Sequence, residues 1–439
     1  MKNTFKDLSG RRRLLQGMGR VGVLAAAGAP LGWLAGCATA GGGSRAQVVV
    51  VGGGFGGATV AKYIRLFSNQ GISVTLVEPN KAFISCPISN LVLSGTSTMA
   101  DITTPYNGLT GRHGVRMVHD TVVSIDAAKR EVRLAGGSSL SYDKLVLSPG
   151  IDMMWKNIEG LQAANASGQI LHAWKAGAET VALRAQLEAM PNGGTYAITI
   201  PEGPYRCPPG PYERASVVAA YFKRAKPRSK VLILDANPDV TSKGALFKKA
   251  WAELYPGMLE YRGQHKAVAV DARTKTVKFE VNEDVRADVL NVLPYMRAGD
   301  LAVNAGLANA NARWCHVNFL NFESTAAKNV HVIGDSIQVA PGMPKSGHMA
   351  NSQAKVTAAA IVAELKGWEI NPQPMLANVC MSFVDDAQVV HVASVHEYVP
   401  AQKTFLAVAG SGGVSNARSE LEGTYARSWA KNIWSDALL

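Results

Sequence analysis

The sequence predicts an α/β chain with two Rossmann-like nucleotide-binding halves and a smaller α+β region at its C-terminus. Three observations carry that prediction. A glycine-rich strand–loop–helix unit occupies residues 48–67, and a second buried strand runs into a proline-rich loop over 195–211. A tail then opens with Asn371-Pro372-Gln373-Pro374 and is rich in Val, Ser and aromatic residues. In the first unit, Val48-Val49-Val50-Val51 reads as a buried parallel strand, and Gly52-x-Gly54-x-x-Gly57 opens a helix over Ala58–Phe67. Gly52 makes the tight turn, Gly54 admits a pyrophosphate to the backbone, and Gly57 lets helix and strand pack closely. The helix N-terminus offers unpaired N–H groups to phosphates. A second strand, Ile72–Val77, ends in Glu78, 21 residues past Gly57, where an acid binds a ribose hydroxyl pair.

The segment before this unit reads as a leader. Residues 1–13 are basic, and Arg11-Arg12-Arg13-Leu14-Leu15-Gln16 fits a twin-arginine export signal, followed by the Gly/Ala-rich stretch Val21–Gly36. That route exports folded chains, which suits one that folds around its cofactor first. The apolar stretch holds too many glycines and too few large aliphatics for a membrane span. Two processing readings stand. Ala38-Thr39-Ala40 resembles an ordinary signal-peptidase site and leaves a soluble periplasmic protein, while Leu34-Ala35-Gly36-Cys37 resembles a lipoprotein box.

Composition agrees with a folded catalyst rather than a nucleic-acid binder. The chain has 439 residues, 47% of them hydrophobic, enough for two or three domains. Of the formal charge of +12, the first 40 residues carry six Lys/Arg and one Asp, leaving about +7 on the rest. These charges are dispersed rather than clustered with aromatics, which argues against nucleic acid and is compatible with an acidic protein partner. The nine histidines form no metal-like cluster, and no Cys-x-x-Cys-His attaches a c-type haem.

Two further segments point to FAD as the dinucleotide. Tyr142-Asp143-Lys144-Leu145-Val146-Leu147-Ser148-Pro149-Gly150 has the shape of the strand and turn that closes the first nucleotide-binding half of two-dinucleotide flavoproteins. Asn329-Val330-His331-Val332-Ile333-Gly334-Asp335 matches the strand that delivers an aspartate to a flavin's ribityl chain and pyrophosphate. The expected architecture is therefore of the glutathione reductase type. A twin-arginine signal spans 1–40, and a discontinuous FAD-binding domain spans 45–160 and 300–370. An NAD-binding-like domain spans 161–299, and a C-terminal α+β interface domain spans 371–439. The second unit has its strand, Thr195–Ile200, but its loop reads Pro201-Glu202-Gly203-Pro204-Tyr205-Arg206-Cys207-Pro208-Pro209-Gly210-Pro211. Prolines lack the N–H groups of a pyrophosphate cradle, so this half is expected to keep the shape of an NAD domain without binding NAD.

Beyond Gly52–Thr59, the chain carries Cys86–Asn90, His172-Ala173-Trp174-Lys175-Ala176-Gly177, Cys207-Pro208-Pro209-Gly210-Pro211-Tyr212-Glu213-Arg214, Met343-Pro344-Lys345-Ser346-Gly347, Ala350-Asn351-Ser352-Gln353 and the segment Tyr425–Trp434. In these runs it resembles the flavoprotein subunit of flavocytochrome c sulfide dehydrogenase over nearly all of its mature length. The resemblance implies an FAD-dependent sulfide dehydrogenase of sulfur oxidation that passes electrons to a c-type cytochrome, either a subunit or a soluble protein. It implies cofactor contacts from Gly52, Gly54, Phe55, Gly56, Gly57, Glu78, Pro79, Asn80, Cys86, Val122, Pro149, Gly150, Trp174, Gly334, Asp335, Lys345, Ser346 and Gly347. Cys86 stands where the family attaches FAD through a thioether to the 8α-methyl carbon.

Catalytic roles follow from the same resemblance. Cys207 matches one member of a redox-active disulfide, and Glu213 matches a carboxylate able to take a proton from hydrogen sulfide. Lys345 is placed near the flavin ring, and Arg206 and Arg214 are candidates for lowering the Cys207 pKa. An ion pair of Glu213 with Arg214 or Lys345 is the plainer reading. The second family cysteine should follow Gly334-Asp335 within two residues, but the chain reads Ser336-Ile337-Gln338. Cys315 and Cys380 are expected to be buried structural thiols, and a bridge from either to Cys207 would need Cα atoms within about 7 Å. His348 stands at the start of an expected helix, Ser346–Leu365. Trp429 and Trp434 belong either to a cytochrome-docking face or to an ordinary core. The missing cysteine leaves two alternatives open: a flavin oxidoreductase with another small reductant, and a non-catalytic flavoprotein partner in a sulfur-oxidation complex. No integral membrane segment is expected.

Overall fold

A computed structural model describes residues 45–439. The twin-arginine motif, both cleavage readings and Cys37 lie outside the described residues. The β-branched run falls in strand β1, Gln47–Val51, which is buried from Val48 onward. Branched side chains restricted at χ1 pack well on a pleated surface covered on both faces. Helix α1, Phe55–Phe67, begins three residues earlier than the sequence suggests, because Gly54 is its N-cap and the glycine loop winds directly into it. Strand β2, Ser73–Val77, lies parallel to β1 with Val48 opposite Val74. The short helix α2, Asn90–Ser94, follows, then β3, Arg116–Val118, and β4, Lys144–Leu147.

The chain then builds a second sheet from β5 (Thr195–Ile200), β6 (Lys230–Asp235), β7 (Leu259–Arg262) and β8 (Val289–Val292). Helix α3, Gly210–Ala225, crosses between β5 and β6. The order β7-β6-β5-β8 is parallel throughout. Afterwards β9 (Val317–Asn318), β10 (Glu323–Ser324) and β11 (Val330–Val332) return to the first sheet. Its seven strands run β9-β10-β11-β4-β1-β2-β3, with β11 parallel to β4. One nucleotide-type sheet is thus completed by segments on both sides of the other, as two-dinucleotide folds require.

Helix α4, Gly347–Lys366, is capped by Ser346, whose hydroxyl accepts from Met349 N–H at 3.0 Å. Such a cap is worth about 1 kcal/mol. The tail forms an antiparallel sheet of β12 (Met375–Phe383), β13 (Val389–Val399) and β14 (Thr404–Ala407), then helix α5, Glu420–Leu438. Asp436 fastens α5 to the first domain: it accepts from Tyr63 Oη at 2.6 Å and Asn351 Nδ2 at 2.8 Å, and pairs with Lys355 Nζ at 2.9 Å. Among the described residues, no helix is long and apolar enough to cross a membrane.

Candidate functional site

The glycine loop has little freedom. A Cβ on Gly57 would stand 1.7 Å from the Gly52 carbonyl oxygen, so only glycine lets α1 pack against the turn. Gly52 has φ 95°, and a Cβ there would meet Ser148 O at 2.4 Å. Around Gly54, by contrast, nothing lies within 4 Å of a Cβ position. That open backbone faces a cavity lined by Gly52, Gly54, Phe55 and Gly56 on one side and Ser148, Pro149 and Gly150 on another. Glu78, at the end of β2, also lines it. Its Oε2 accepts from Gly53 N–H at 2.7 Å, and its Oε1 accepts from Asn80 N–H and Nδ2 at 2.9 and 2.6 Å. Tyr106, which the sequence did not flag, donates to Gly53 O at 3.0 Å and closes the back of the loop.

Across the cavity stand Gly334, Asp335, Ser346 and Gly347, together with Cys86, Trp174, Cys207 and Glu213. Gln353 Oε1 accepts from Gly334 N–H at 2.8 Å and fixes the turn into Asp335. Asp335 Oδ1 is buried with no hydrogen-bond partner, and burial raises its pKa against the pull of Arg206 and Lys345. A buried carboxylate oxygen without a donor is costly. Together with the open Gly54 backbone, it fits the ribityl hydroxyls and pyrophosphate of a flavin dinucleotide. Trp174 Nε1, a donor, is a second buried polar atom lining this site that lacks a partner.

The remaining expected residues are placed differently. Gly57 backs the loop without reaching the cavity, Pro79 and Asn80 are exposed, and Val122 belongs to the core. Lys345 turns away from the cavity. Its ammonium donates to Asp335 O at 2.9 Å and Ile337 O at 2.5 Å, 3.6 Å above the Trp314 ring. Burial lowers its pKa to about 7, with Asp335 opposing the shift. Its backbone does contribute, since its carbonyl accepts from Cys207 N–H at 2.8 Å.

Cys207 has φ 58°, a left-handed conformation that costs a side-chain-bearing residue about 1 kcal/mol. Its sulfur rests against Gly210, where a Cβ would approach it to 2.9 Å. Burial drives its pKa well up, and the nearby Cys380 and Glu213 push the same way. Arg206 and Lys243 oppose the shift. Arg206 thus acts in the expected sense but loses to desolvation. Arg214 serves the wall instead of the thiol. Buried at the start of α3, it donates to Asn90 Oδ1 (3.0 Å), His172 O (2.9 Å), Asn291 Oδ1 (2.9 Å) and Ala173 O (2.7 Å). It lies 4.8 Å from the Trp174 ring and holds that wall in place. Arg206 donates to Trp174 O from the other side.

Glu213 forms no ion pair with Arg214 or Lys345. Its Oε2 accepts from Asn90 Nδ2 at 2.8 Å and its Oε1 from Phe383 N–H at 2.9 Å, while burial raises its pKa. Cys315 is fully buried, its N–H donating to Ser336 O at 3.0 Å, as a structural thiol should be. Cys380 is not. It lines the cavity with Cys207, on the stretch of β12 where Val379, Met381 and Ser382 reach the same opening. Ser336, in the place of the expected second cysteine, donates instead to Gly150 O at 2.5 Å. His348 accepts from Val379 N–H at 3.0 Å and meets Trp429 edge-on at 5.8 Å, both on the cavity wall. Trp434 packs against the main core. No group of three metal-type ligands occurs among the described residues.

Comparison with known families matches this arrangement in three stretches. Residues 46–182 match pyridine nucleotide-disulphide oxidoreductase, and 180–294 match the central part of the sulfide dehydrogenase (flavocytochrome c) flavoprotein chain. Residues 372–438 match the flavin-binding part of flavocytochrome c sulphide dehydrogenase. The sulfide dehydrogenase flavoprotein chain of Chlorobaculum thiosulfatiphilum is 65% identical over 46 residues, 94% of that sequence and 10% of this one. A mitochondrial sulfide:quinone oxidoreductase of Dictyostelium discoideum is 24% identical over 338 residues, covering 74% of this chain and 72% of its own. The crystal structure of the Aquifex aeolicus sulfide:quinone oxidoreductase superposes with a TM-score of 0.72 at 20% identity, over 89% of this chain and 91% of that one, a likeness of fold. The chain belongs to the flavocytochrome c sulfide dehydrogenase flavoprotein family, a sulfide-oxidising branch of the FAD-dependent pyridine nucleotide-disulfide oxidoreductases.

Proposed function

We propose that this chain is a periplasmic flavoenzyme that oxidises sulfide, or a related reduced sulfur compound, and passes the electrons through FAD to a c-type cytochrome. The observation that carries this reading is that Cys207 and Glu213 share one cavity with the Gly52–Gly56 loop and Asp335. When bound, FAD supplies an acceptor that takes an electron pair and releases electrons singly. The residues around it bind, orient and move protons. Asp335 and Glu78 hold polar groups of the dinucleotide, and Cys86 is the point of covalent attachment. Cys207 places its sulfur in the same cavity as the small sulfur substrate. Glu213, whose raised pKa makes it a stronger base than an exposed carboxylate, takes the proton of hydrogen sulfide. The Arg214–Trp174 wall keeps bulk water from that proton. Export by the twin-arginine route, with cleavage after Ala40 or lipidation of Cys37, belongs to the same proposal.

Two observations support direct reduction by the sulfur substrate rather than by NADH. The second loop is rich in prolines, and Asp235 at the end of β6 is already bonded to Tyr212, Tyr261 and Asn237. Anaerobic stopped-flow mixing of purified protein with sulfide tests the reading, with NADH in parallel. Rapid bleaching of the flavin band by sulfide alone supports it. Bleaching by NADH alone, or by neither, sinks it, and the second of these outcomes favours the non-catalytic alternative. Reduced protein is then mixed with cytochrome c or a water-soluble quinone. Faster transfer to the quinone would overturn the cytochrome as acceptor. Denatured holoprotein should keep its yellow chromophore, and Cys86→Ser should release it.

A further inference from the structure

His348 has no part in that reading, yet it stands on the wall of the same cavity with Gly347, Ala350 and Trp429. It lies in the first turn of α4, where the tail sheet fixes its ring. Nδ1 accepts from Val379 N–H at 3.0 Å, and one helical turn later Ser352 Oγ accepts from Ala377 N–H at 3.1 Å. Two residues four apart on one helix face thus meet alternate N–H groups along the free edge of β12. A ring nitrogen that accepts carries no hydrogen, so the imidazole proton sits on Nε2. Nε2 has no partner among the described residues, and the protein does not seal it from the cavity. The Trp429 ring packs edge-on against the imidazole at 5.8 Å. Burial and the charge of Lys355 lower the His348 pKa, and Asp436 opposes them. A second ring proton would point at the Val379 N–H, so the imidazole stays neutral.

We propose that His348 is a neutral hydrogen-bond donor to the pyrimidine edge of the flavin, its Nε2–H stabilising the negative charge that the ring takes up on reduction. The placement follows from what the rest of the cavity holds. The glycine loop, Glu78 and Asp335 serve the adenosine, pyrophosphate and ribityl parts. That leaves the isoalloxazine for the wall that carries Cys86, Cys207, Gly347 and His348. An isoalloxazine has a dimethylated end without acceptors and a pyrimidine end with two carbonyls, so a donor on this wall serves the polar end. The inference rests on FAD filling the cavity, and it deepens the proposed reading by assigning one control of the flavin's potential to this chain. Because Nδ1 is committed to Val379, the imidazole takes up no proton of its own. It acts as a fixed dipole, aimed before the electrons arrive.

The test needs neither sulfide nor cytochrome. Holoprotein is reduced anaerobically with dithionite beside a reference dye of known potential, and the equilibrium is read from the two absorbance bands. In His348→Leu, reduction of the flavin should be about tenfold less favourable, about 30 mV for a two-electron couple. His348→Asn, whose Oδ1 can keep the Val379 bond but whose amide falls short of Nε2, should shift the equilibrium as far. His348→Gln, which reaches the place of Nε2 with a donor, should recover most of it. Ser352 does not line the cavity, so Ser352→Ala cuts the neighbouring tie to β12 and should leave the equilibrium as in wild type. An unchanged equilibrium in folded His348→Leu and His348→Asn, or an equal shift in Ser352→Ala, overturns the donor role. So does a pH dependence between pH 6 and pH 8 that disappears in His348→Leu, because the imidazole would then be taking up a proton with the electrons. The expected shift in protein that sulfide fails to bleach leaves the donor standing and sinks the sulfide reading.

Discussion

Two strand–loop–helix–strand units in this chain share one frame and put it to opposite uses. In the first, β1, the glycine loop, α1 and β2 leave open backbone at Gly54 and an acid, Glu78, at the cavity. In the second, β5, the proline loop, α3 and β6 also end in an acid, Asp235, but one fully enclosed. Its Oδ2 accepts from Tyr212 Oη at 2.7 Å and Tyr261 Oη at 3.1 Å, and its Oδ1 from Asn237 N–H at 2.9 Å and Nδ2 at 2.7 Å. Tyr212 sits in the first turn of α3, where a dinucleotide helix would present bare N–H groups. The second loop instead gives Cys207, Pro209, Gly210 and Glu213 to the cavity of the first unit. The second frame thus lends its loop and the first turn of α3 to the wall of the first frame's cavity.

The strongest break in this comparison is one methyl group placed in each loop. Gly57→Ala drives a Cβ into Gly52 O and should leave flavin-free protein, destabilised by about 1–3 kcal/mol. Gly203→Ala, in the second loop, meets nothing within 4 Å and should stay within about 0.5 kcal/mol with full flavin content. The ratio of flavin absorbance to protein absorbance, with a thermal melt, reads both. Equal flavin content in the two variants would mean that the first loop does not hold the dinucleotide.

The two acids should separate next. Asp335→Asn removes the charge of the carboxylate whose Oδ1 has no protein donor, and should weaken flavin binding about tenfold or more. The flavin-free variant should be no less stable, because the buried oxygen lacked a partner. Asp235→Asn puts an amide among four donated hydrogens and should cost about 1–3 kcal/mol of stability with flavin content unchanged. Tyr212→Phe, which removes only one of those donors, should cost about 1–2 kcal/mol. Flavin titration and urea unfolding of each variant measure the split.

Much of the first unit was legible in the sequence, because its geometry depends on residues that are themselves the signal: Gly52 and Gly57, where a Cβ would strike backbone, the open Gly54 between them, and an acid at a strand end. Prolines made the second loop equally legible as a departure from that pattern. The wall built by the tail was not. Cys380 looks like any thiol in a half-buried strand, and only the pairing of β12 with β13 and its approach to α3 turn it to the cavity. Lys243 is a single lysine in a loop, and nothing in its neighbours signals that it ends among three strand oxygens. Lys345 failed in the other direction: its motif placed it correctly along the chain, but the ammonium chose the carbonyls of Asp335 and Ile337 over the cavity.

These two buried lysines, one for each frame, give the smallest effect. Burial lowers Lys345 to about 7 and Lys243 to about 8, from 10.5 in the unfolded chain. Between the folded and unfolded values the unfolded state holds a proton that the folded state lacks, so stability rises with pH. Below the folded value both states are charged and the full penalty of burial remains. From pH 7 to 8, Lys345 goes from about half to about nine-tenths deprotonated in the folded protein, and Lys243 from about a tenth to about half. Across that interval Lys345 contributes about 1 kcal/mol of the stability gain and Lys243 about 0.3 kcal/mol. Urea unfolding at pH 7 and pH 8 should show the rise in wild type and in Lys243→Met, and the loss of most of it in Lys345→Met. If both variants keep the rise, neither ammonium is as dry as its surroundings imply. If Lys243→Met alone loses it, the lysine of the second frame is the drier of the two.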